Sequence, residues 1–203
     1  SLPGGAERTG REVAHFGTLA ELRQNVRTAG GLFVLAHIDQ LPNFQDIQEE
    51  QRSLTQDDNW KVFLFYAYGS RADDNCRRCP RTAAVVESIP GMTTAMFSVL
   101  RPHKHIPPHV GPWKGVLRYH LALRTPADES LARIRVGSRT EEWHSGRSLV
   151  FDDTFEHEAW NDSDQPRAVL ILDTWNPALS TAERAMITAA TAAVSDYYGE
   201  LPA

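Results

Sequence analysis

The stretch Phe151-Asp-Asp-Thr-Phe-Glu-His157-Glu-Ala-Trp-Asn161 joins two short apolar segments, 148–151 and 157–160, through an acidic turn. Short segments rich in aromatic and β-branched residues, bounded by Gly, Pro or Asp, are typical of β-strands. Similar segments recur along the chain, at 60–68, 94–100, 116–123, 132–136, 141–143 and 168–174. Many short strands separated by turn residues predict an all-β sandwich or barrel.

The two ends of the chain favour helices. Apolar residues at 3- and 4-residue spacing follow Thr18, and Ser180 with Glu183 forms a capping box before an alanine-rich stretch. Between them, 32–35 is an apolar stretch that fits a strand or a buried helical turn, 41–58 suggests loop plus a short helix, and 82–89 a helix. We therefore predict one mainly β domain with flanking helices: an N-terminal helical and loop segment over 1–59, a core over 60–178 and a C-terminal helix over 179–203.

Composition excludes several classes of function. The chain has 203 residues and a net charge of −5 with scattered basic residues, so nucleic acid is not an expected partner. No run of 18 apolar residues and no signal peptide are present, so we expect no membrane partner and a cytoplasmic location. Cys76 and Cys79 lack the second pair that a zinc site needs, which leaves a structural pair or a loop disulfide open.

Six of the eight histidines fall between positions 103 and 157. Neutral imidazole is the most common side-chain ligand of transition metals, and two distant histidines meet when they lie on neighbouring strands. His109 and His157 are such candidates, whereas His103, His105 and His144 are expected on the solvated surface. Non-haem iron sites usually add a carboxylate, but Gly111 stands two residues after His109. Spacing alone leaves iron, zinc and no metal open.

Four motifs in order give the segment 60–177 a resemblance to a known family. They are His109-Val-Gly-Pro112, Leu117-Arg-Tyr-His-Leu-Ala-Leu123, the stretch 146–161 around His157, and Leu170-Ile-Leu-Asp-Thr-Trp-Asn-Pro177. The segment resembles the aspartyl/asparaginyl β-hydroxylases, which are Fe(II)- and 2-oxoglutarate-dependent dioxygenases. The resemblance implies a double-stranded β-helix core of the jelly-roll, cupin-like type, with Fe(II), 2-oxoglutarate and O₂ as cofactor and co-substrates.

The resemblance also implies roles for individual residues. His109 and His157 match the iron ligands, and Arg167 with Ser98 matches the pair that binds the distal carboxylate of 2-oxoglutarate. Guanidinium suits that role because it stays charged and grips a carboxylate with two hydrogen bonds. Further candidates lie near the keto acid, namely Arg118 and His120, and in the walls of the substrate pocket, namely Trp113, Val116, Tyr119 and Trp160.

The expected reaction is hydroxylation of an unactivated C–H bond, at the β-carbon of an amino acid, an amino-acid-like molecule or a peptidyl residue. Small-molecule or peptide substrates are therefore the expected partners, and the sequence predicts no oligomeric state. Gly111 leaves a metal position open to water or to chloride, so a halogenase is an alternative, as is a non-catalytic binding module. Val116 replaces a basic residue of the animal branch of the family, which weakens the case for an acidic side chain as substrate.

Overall fold

Two antiparallel sheets form the body of the protein in the computed structural model, which describes residues 36–112 and 114–198. The predicted helix after Thr18 and the apolar stretch 32–35 lie outside the described residues. The larger sheet has the order β2-β1-β3-β10-β5-β8 and the smaller one the order β4-β9-β6-β7. The strands are β1 (Trp60–Ala67), β2 (Ser70–Arg71), β3 (Met92–Leu100), β4 (Lys104–His109), β5 (Val116–Arg124), β6 (Ala132–Val136), β7 (Arg139–Glu142), β8 (Ser148–Phe151), β9 (His157–Asn161) and β10 (Arg167–Trp175).

Helices lie before, between and after these strands. The α-helices are α1 (Phe44–Ile47), α2 (Asp73–Arg78), α3 (Pro80–Glu87) and α4 (Thr181–Tyr198), and 3-10 helices cover Ile38–Gln40, Glu49–Leu54 and Glu129–Leu131. The predicted capping box is confirmed, since Ser180 N–H donates to Glu183 Oε2 and Glu183 N–H donates to Ser180 Oγ. None of the described helices combines the length and the apolar character needed to span a bilayer.

The larger sheet is buried on both faces. In β1, Phe63 and Phe65 pack in one apolar cluster with α2 and α3, whereas Val62 and Leu64 pack in a second cluster with the smaller sheet. Successive side chains of a strand point to opposite faces, so a strand covered on both sides is apolar throughout. The mainly β, double-stranded β-helix fold is thereby confirmed, as is the expectation that 170–172 is buried on both faces.

Two regions correct the sequence-based assignment. The histidine- and proline-rich stretch before Gly111 is a strand, β4, rather than a loop, and it forms an edge of the smaller sheet, where prolines are tolerated. The segment around Cys76 and Cys79, for which the sequence predicted no helix or strand, contains α2, followed directly by α3. Both cysteines are free and buried against β1, so they are part of the core and not a disulfide.

Candidate metal and co-substrate site

His109 and His157 face each other across the pairing of β4 with β9. Ile106 of β4 points into the barrel. Side chains of a regular strand alternate between the two faces, so His109, three positions later, would point outward. The register of β4 shifts between Ile106 and His109, and this irregularity restores His109 to the inner face. The ring centroids of the two histidines lie 4.1 Å apart.

Backbone carbonyls orient both imidazole rings. His109 Nδ1 lies 2.8 Å from the carbonyl oxygen of Pro107, and His157 Nδ1 lies 2.9 Å from that of Phe155. These contacts fix Nδ1 as the protonated nitrogen and leave Nε2 as the lone-pair donor of each ring. Burial lowers the pKa of His109, and burial together with His109 lowers the pKa of His157 to about 4, so both rings are neutral.

This arrangement fits a metal ion held by two protein ligands. Within the described residues, no group of three His, Cys, Asp or Glu side chains could hold a metal. Gly111 supplies no third ligand, and a side chain there has no room, because a Cβ on Gly111 would collide with the carboxylate of Asp153. The backbone N–H of Gly111 also donates to the carbonyl oxygen of Asp153, at 2.7 Å, so the two loops run side by side.

Asp153 belongs to a buried charge network beside the two histidines. Arg118 donates from Nε and Nη2 to Asp173, both at 2.8 Å, and its Nη1 lies 3.1 Å from Asp153 Oδ2. Burial opposes the charge of Arg118, but Asp173 and Asp153 hold the pKa of its guanidinium above the usual value. Burial raises the pKa of Asp153 to about 6, against the attraction of Arg118. The three ionised side chains together carry a charge of −1.

Arg167 has a different environment. Its side chain is fully buried and lines the cavity, and among the described residues it has no acidic partner. Its Nη1 donates a long hydrogen bond of 3.4 Å to the carbonyl oxygen of Ser98, its Nε has no partner, and its Cζ lies 4.3 Å from the ring centroid of Trp143. Burial lowers the pKa of Arg167 to about 9, which leaves it cationic at neutral pH.

Ser98 and His120 complete the polar wall around Arg167. Trp60 Nε1 donates to Ser98 Oγ at 3.0 Å, which leaves the hydroxyl proton of Ser98 available to an acceptor in the cavity. Neither ring nitrogen of His120 has a partner among the described residues, and the ring lies between Trp143 and Phe151. Burial first, and then Arg118, lower the pKa of His120 well below its usual value, so this ring is neutral.

The structure brings together seven of the sequence-predicted site residues and separates two others from them. One cavity is lined by His109, His157, Ser98, Arg118, His120, Arg167 and Val116. Tyr119 instead packs in the helix-facing cluster, and Trp160 stacks on His105 at the outer face of the smaller sheet. These two are corrections, and their cause is strand parity, because Tyr119 and Trp160 stand an odd number of residues from His120 and His157. Trp113 lies outside the described residues.

Asp153 and Trp143 are among the cavity residues that were not predicted from the sequence. Asp153 stands four residues before His157, and its position in an acidic pair at a turn gave no sign of which carboxylate points inward. Trp143 contacts both Arg167 and His120, and its ring nitrogen has no partner among the described residues. A large apolar residue directly after the exposed residues of β7 is the signal that could have identified it.

Comparison with solved structures finds partial matches to parts of the chain. A cupin domain of an XRE-family transcriptional regulator from Enterobacter cloacae aligns with 58% of this chain and 98% of that domain, at 9% identity and a TM-score of 0.39. The DMSP lyase DddQ from Ruegeria pomeroyi aligns with 61% of this chain and 50% of its own, at 13% identity and a TM-score of 0.40.

Sequence relatives are more informative. An ornithine lipid ester-linked acyl 2-hydroxylase from Rhizobium tropici is 44% identical over 149 residues, which are 73% of this chain and 53% of that protein. The human aspartyl/asparaginyl beta-hydroxylase is 33% identical over 145 residues, 69% of this chain and 19% of that protein. The chain thus spans about half the length of the first relative and a fifth of the second. The family model for aspartyl/asparaginyl beta-hydroxylases matches residues 31–177, and the chain belongs to this hydroxylase family.

Proposed function

We propose that this chain is an Fe(II)- and 2-oxoglutarate-dependent hydroxylase with two histidine ligands. The observation that carries the proposal is Arg167, a buried cation on the cavity wall with no carboxylate partner among the described residues. A charge removed from water is strongly destabilising unless a counter-charge compensates it. The cavity therefore calls for an anionic ligand at this point, and the distal carboxylate of 2-oxoglutarate supplies one.

The neighbours of Arg167 suit the same ligand. The hydroxyl of Ser98 has a proton to donate to a carboxylate, and Trp143 covers the guanidinium from the other side. His120, neutral and without a protein partner among the described residues, can donate one hydrogen bond and accept another. Together these groups would hold the keto acid in one orientation and exclude water from it.

His109 and His157 would hold the iron through Nε2, because their Nδ1 atoms are already engaged with backbone carbonyls. Bound Fe(II) supplies the oxidation, in which one atom of O₂ enters the substrate C–H bond as a hydroxyl and the other enters succinate as 2-oxoglutarate loses CO₂. The protein's own contribution is to orient the ligands and to limit solvent access. Asp153, beside Gly111, would accept a hydrogen bond from water in the position that other families fill with a ligating carboxylate.

The residues of the cavity argue against a halogenase and against a non-catalytic binding module. A halogenase needs chloride next to Gly111, but the carboxylate of Asp153 borders that space and would repel an anion in its ionised form. A binding module without catalysis leaves the pair of converging histidines unused, although their lone pairs face one cavity. Hydroxylation gives a role both to the two histidines and to Asp153.

Two substrate classes follow from the family. The 44% identical relative is an acyl 2-hydroxylase of a lipid, which favours the acyl group of an amphiphile. The human relative's name favours an aspartyl or asparaginyl residue. Arg118 is the second cation that the described residues place on the cavity wall, and two carboxylates already neutralise it, so it offers little to an acidic side chain. We therefore place the acyl lipid first and an amino acid or peptidyl residue second.

The test of the proposal compares Arg167→Met with Arg133→Met, the same change at a half-exposed arginine on the outer face of the smaller sheet. Loss of one partner of a buried charge pair weakens binding by about 2 kcal/mol or more, a factor of about 30. We expect this loss of 2-oxoglutarate affinity in Arg167→Met alone, measured by calorimetry and by the KM for succinate formation. An unchanged affinity would remove Arg167 from the site, and absence of succinate from the wild-type protein with Fe(II) would contradict the reaction itself.

The substrate classes are distinguished by testing which compound is oxidised together with 2-oxoglutarate. Succinate release and product mass are measured with Fe(II) and 2-oxoglutarate in the presence of free amino acids, aspartyl peptides or acylated ornithines. A product heavier than its substrate by one oxygen atom identifies the class.

A further inference from the structure

A groove opens beside the iron-site cavity, at the end of the barrel covered by α4. Met92, Trp175 and Ile187 form its apolar wall, Thr188 lies on its α4 side, and Lys114 stands at its rim. Its volume of about 240 Å³ is below the range of about 300–1,000 Å³ that encloses a whole drug-sized ligand. The groove therefore suits a slender part of a molecule rather than the whole of it.

The groove borders the iron-site cavity. Four residues line both spaces, namely Tyr68, Thr94, Val116 and Asp173. A molecule with one end at the two histidines would reach the groove by passing these four side chains. At the groove, α4 lies close to the start of β5, where Gly115 has a φ of +101° and a Cβ would collide with Leu179 and Ile187.

The charges of the groove favour an uncharged occupant with a polar end. Asp173 is the only acidic residue among the described residues that line it, and both of its carboxylate oxygens already accept hydrogen bonds from Arg118. Lys114 is exposed at the rim and belongs to the solvent side. The interior between them presents methyl groups, methylenes and an indole ring, a surface that binds a hydrocarbon chain by the hydrophobic effect.

Tyr68 lies at the junction in a conformation that tyrosine rarely adopts. It forms with Gly69 the two-residue turn between β1 and β2, and their φ angles are +50° and +86°. Turns of this kind prefer Asn-Gly, and an aromatic residue with positive φ is strained. In this conformation the tyrosine ring lies between the cavity and the groove, and its hydroxyl exchanges hydrogen bonds with the amide of Gln48.

We propose that this groove binds the hydrocarbon part of an acylated substrate, with Tyr68 as the residue that positions the chain at the junction. The assignment rests on the proposed hydroxylase function and adds the site at which the substrate's apolar portion lies. The strained turn is then explained, because Asn or Gly at position 68 would relieve the backbone but leave the junction without its ring. A chain lying against Met92 and Trp175 directs the polar end of the same molecule toward Arg118 and the two histidines.

The experiment measures binding of N-dodecanoylornithine and N-acetylornithine by calorimetry, with and without Fe(II), at concentrations below micelle formation. Each buried methylene contributes about 0.8 kcal/mol, so two or three already give more than a tenfold difference in affinity. We expect the wild-type protein to bind the long-chain probe at least tenfold more tightly. Thr188→Trp should fill the groove and abolish that preference, whereas Met186→Trp, on the exposed face of the same helix, should retain it.

Tyr68→Asn is the second variant, because asparagine suits the left-handed turn and its relieved backbone strain offsets the lost contacts of the ring. It should lose the chain-length preference without a lower melting temperature. Equal affinity of the wild-type protein for both probes would overturn the groove assignment, as would an equal loss in Thr188→Trp and Met186→Trp. Binding of the chain does not require turnover, so a protein that prefers the long chain but forms no succinate would contradict the hydroxylase and not the groove.

Discussion

The two faces of the larger sheet are built from the same strands but have opposite character. Toward α2 and α3, residues such as Phe97, Leu121 and Leu170 pack in a cluster of apolar side chains with two buried thiols and one tyrosine. Toward the smaller sheet, the same strands present Ser98, His120 and other polar groups to a cavity. One residue along a strand therefore separates a packing role from a chemical one.

The distribution of unsatisfied polar atoms sharpens this contrast. Among the described residues, buried side-chain atoms without a partner occur on the cavity side at His120, Trp143, Asp153 and Arg167, and the helix-facing cluster contributes none; the others lie elsewhere, at Gln45, Arg101, Arg133 and Arg184. Unpaired buried polar groups destabilise a fold, so four such residues around one cavity indicate a binding site. We infer that the helix-facing layer supplies stability and that the cavity layer uses some of it for function.

The largest expected effect is at the cavity. His157→Ala should reduce 2-oxoglutarate turnover to background, because one of the two proposed metal ligands is lost. The melting temperature of the metal-free protein should change little, since a neutral ring at the wall of a cavity is removed. Succinate formation and iron binding are the measurements, and full activity under Fe(II) would refute the ligand assignment. His105→Ala, on the outer face of β4, is the matched control and should keep wild-type turnover.

The counterpart on the helix-facing side is Leu170→Ala. Leu170 is fully buried, and truncation of such a side chain destabilises a protein by about 2–5 kcal/mol through lost burial and the cavity left behind. Chemical denaturation should show this loss, while the KM for 2-oxoglutarate of the remaining folded protein stays at the wild-type value. A changed KM with unchanged stability would reverse the roles assigned to the two faces.

Gly111→Ala tests the place where packing and chemistry meet. The new methyl group would displace the carboxylate of Asp153, and overpacking of a buried position costs about 1–3 kcal/mol. We expect lower stability together with lower turnover, because the ion pair of Asp153 with Arg118 is disturbed. Gly137→Ala is the control, since Gly137 has open space around it and a φ of +57°. Its backbone strain of about 1–2 kcal/mol should lower stability without changing turnover.

Much of the fold could be predicted because the strands between Trp60 and Trp175 are short, apolar and separated by turn residues. β4 could not, because Pro107 and Pro108 are typical of loops and only an edge position makes them compatible with a strand. The helix α2 was also not predicted, because most of its residues are charged and the two buried cysteines pack it against the core. In both cases the deciding contact is with a distant part of the chain, and no local pattern records it.

The site shows a different limit. Motif matching named His109, His157 and Arg167 as candidates, but it gave no reason why Arg167 has no carboxylate partner among the described residues while Arg118 has two. Nearness to a motif is a poor guide to which aromatic residues line the cavity. A better guide is whether a residue stands an even number of positions from His120 or His157 and therefore shares its face of the strand. Val116 has the parity of His120 and lines the cavity, whereas Tyr119 has the opposite parity and does not.

The smallest expected effect tests that parity argument directly. Tyr119→Phe removes the hydroxyl that contacts Ser148 Oγ and keeps the ring in the helix-facing cluster. Loss of one hydrogen bond destabilises a protein by about 0.5–1.5 kcal/mol, so the melting temperature should fall slightly. The KM values for 2-oxoglutarate and substrate should not change, because the ring does not reach the cavity. A rise in either KM with intact stability would mean that Tyr119 acts at the site, and that the two faces of the sheet are not independent.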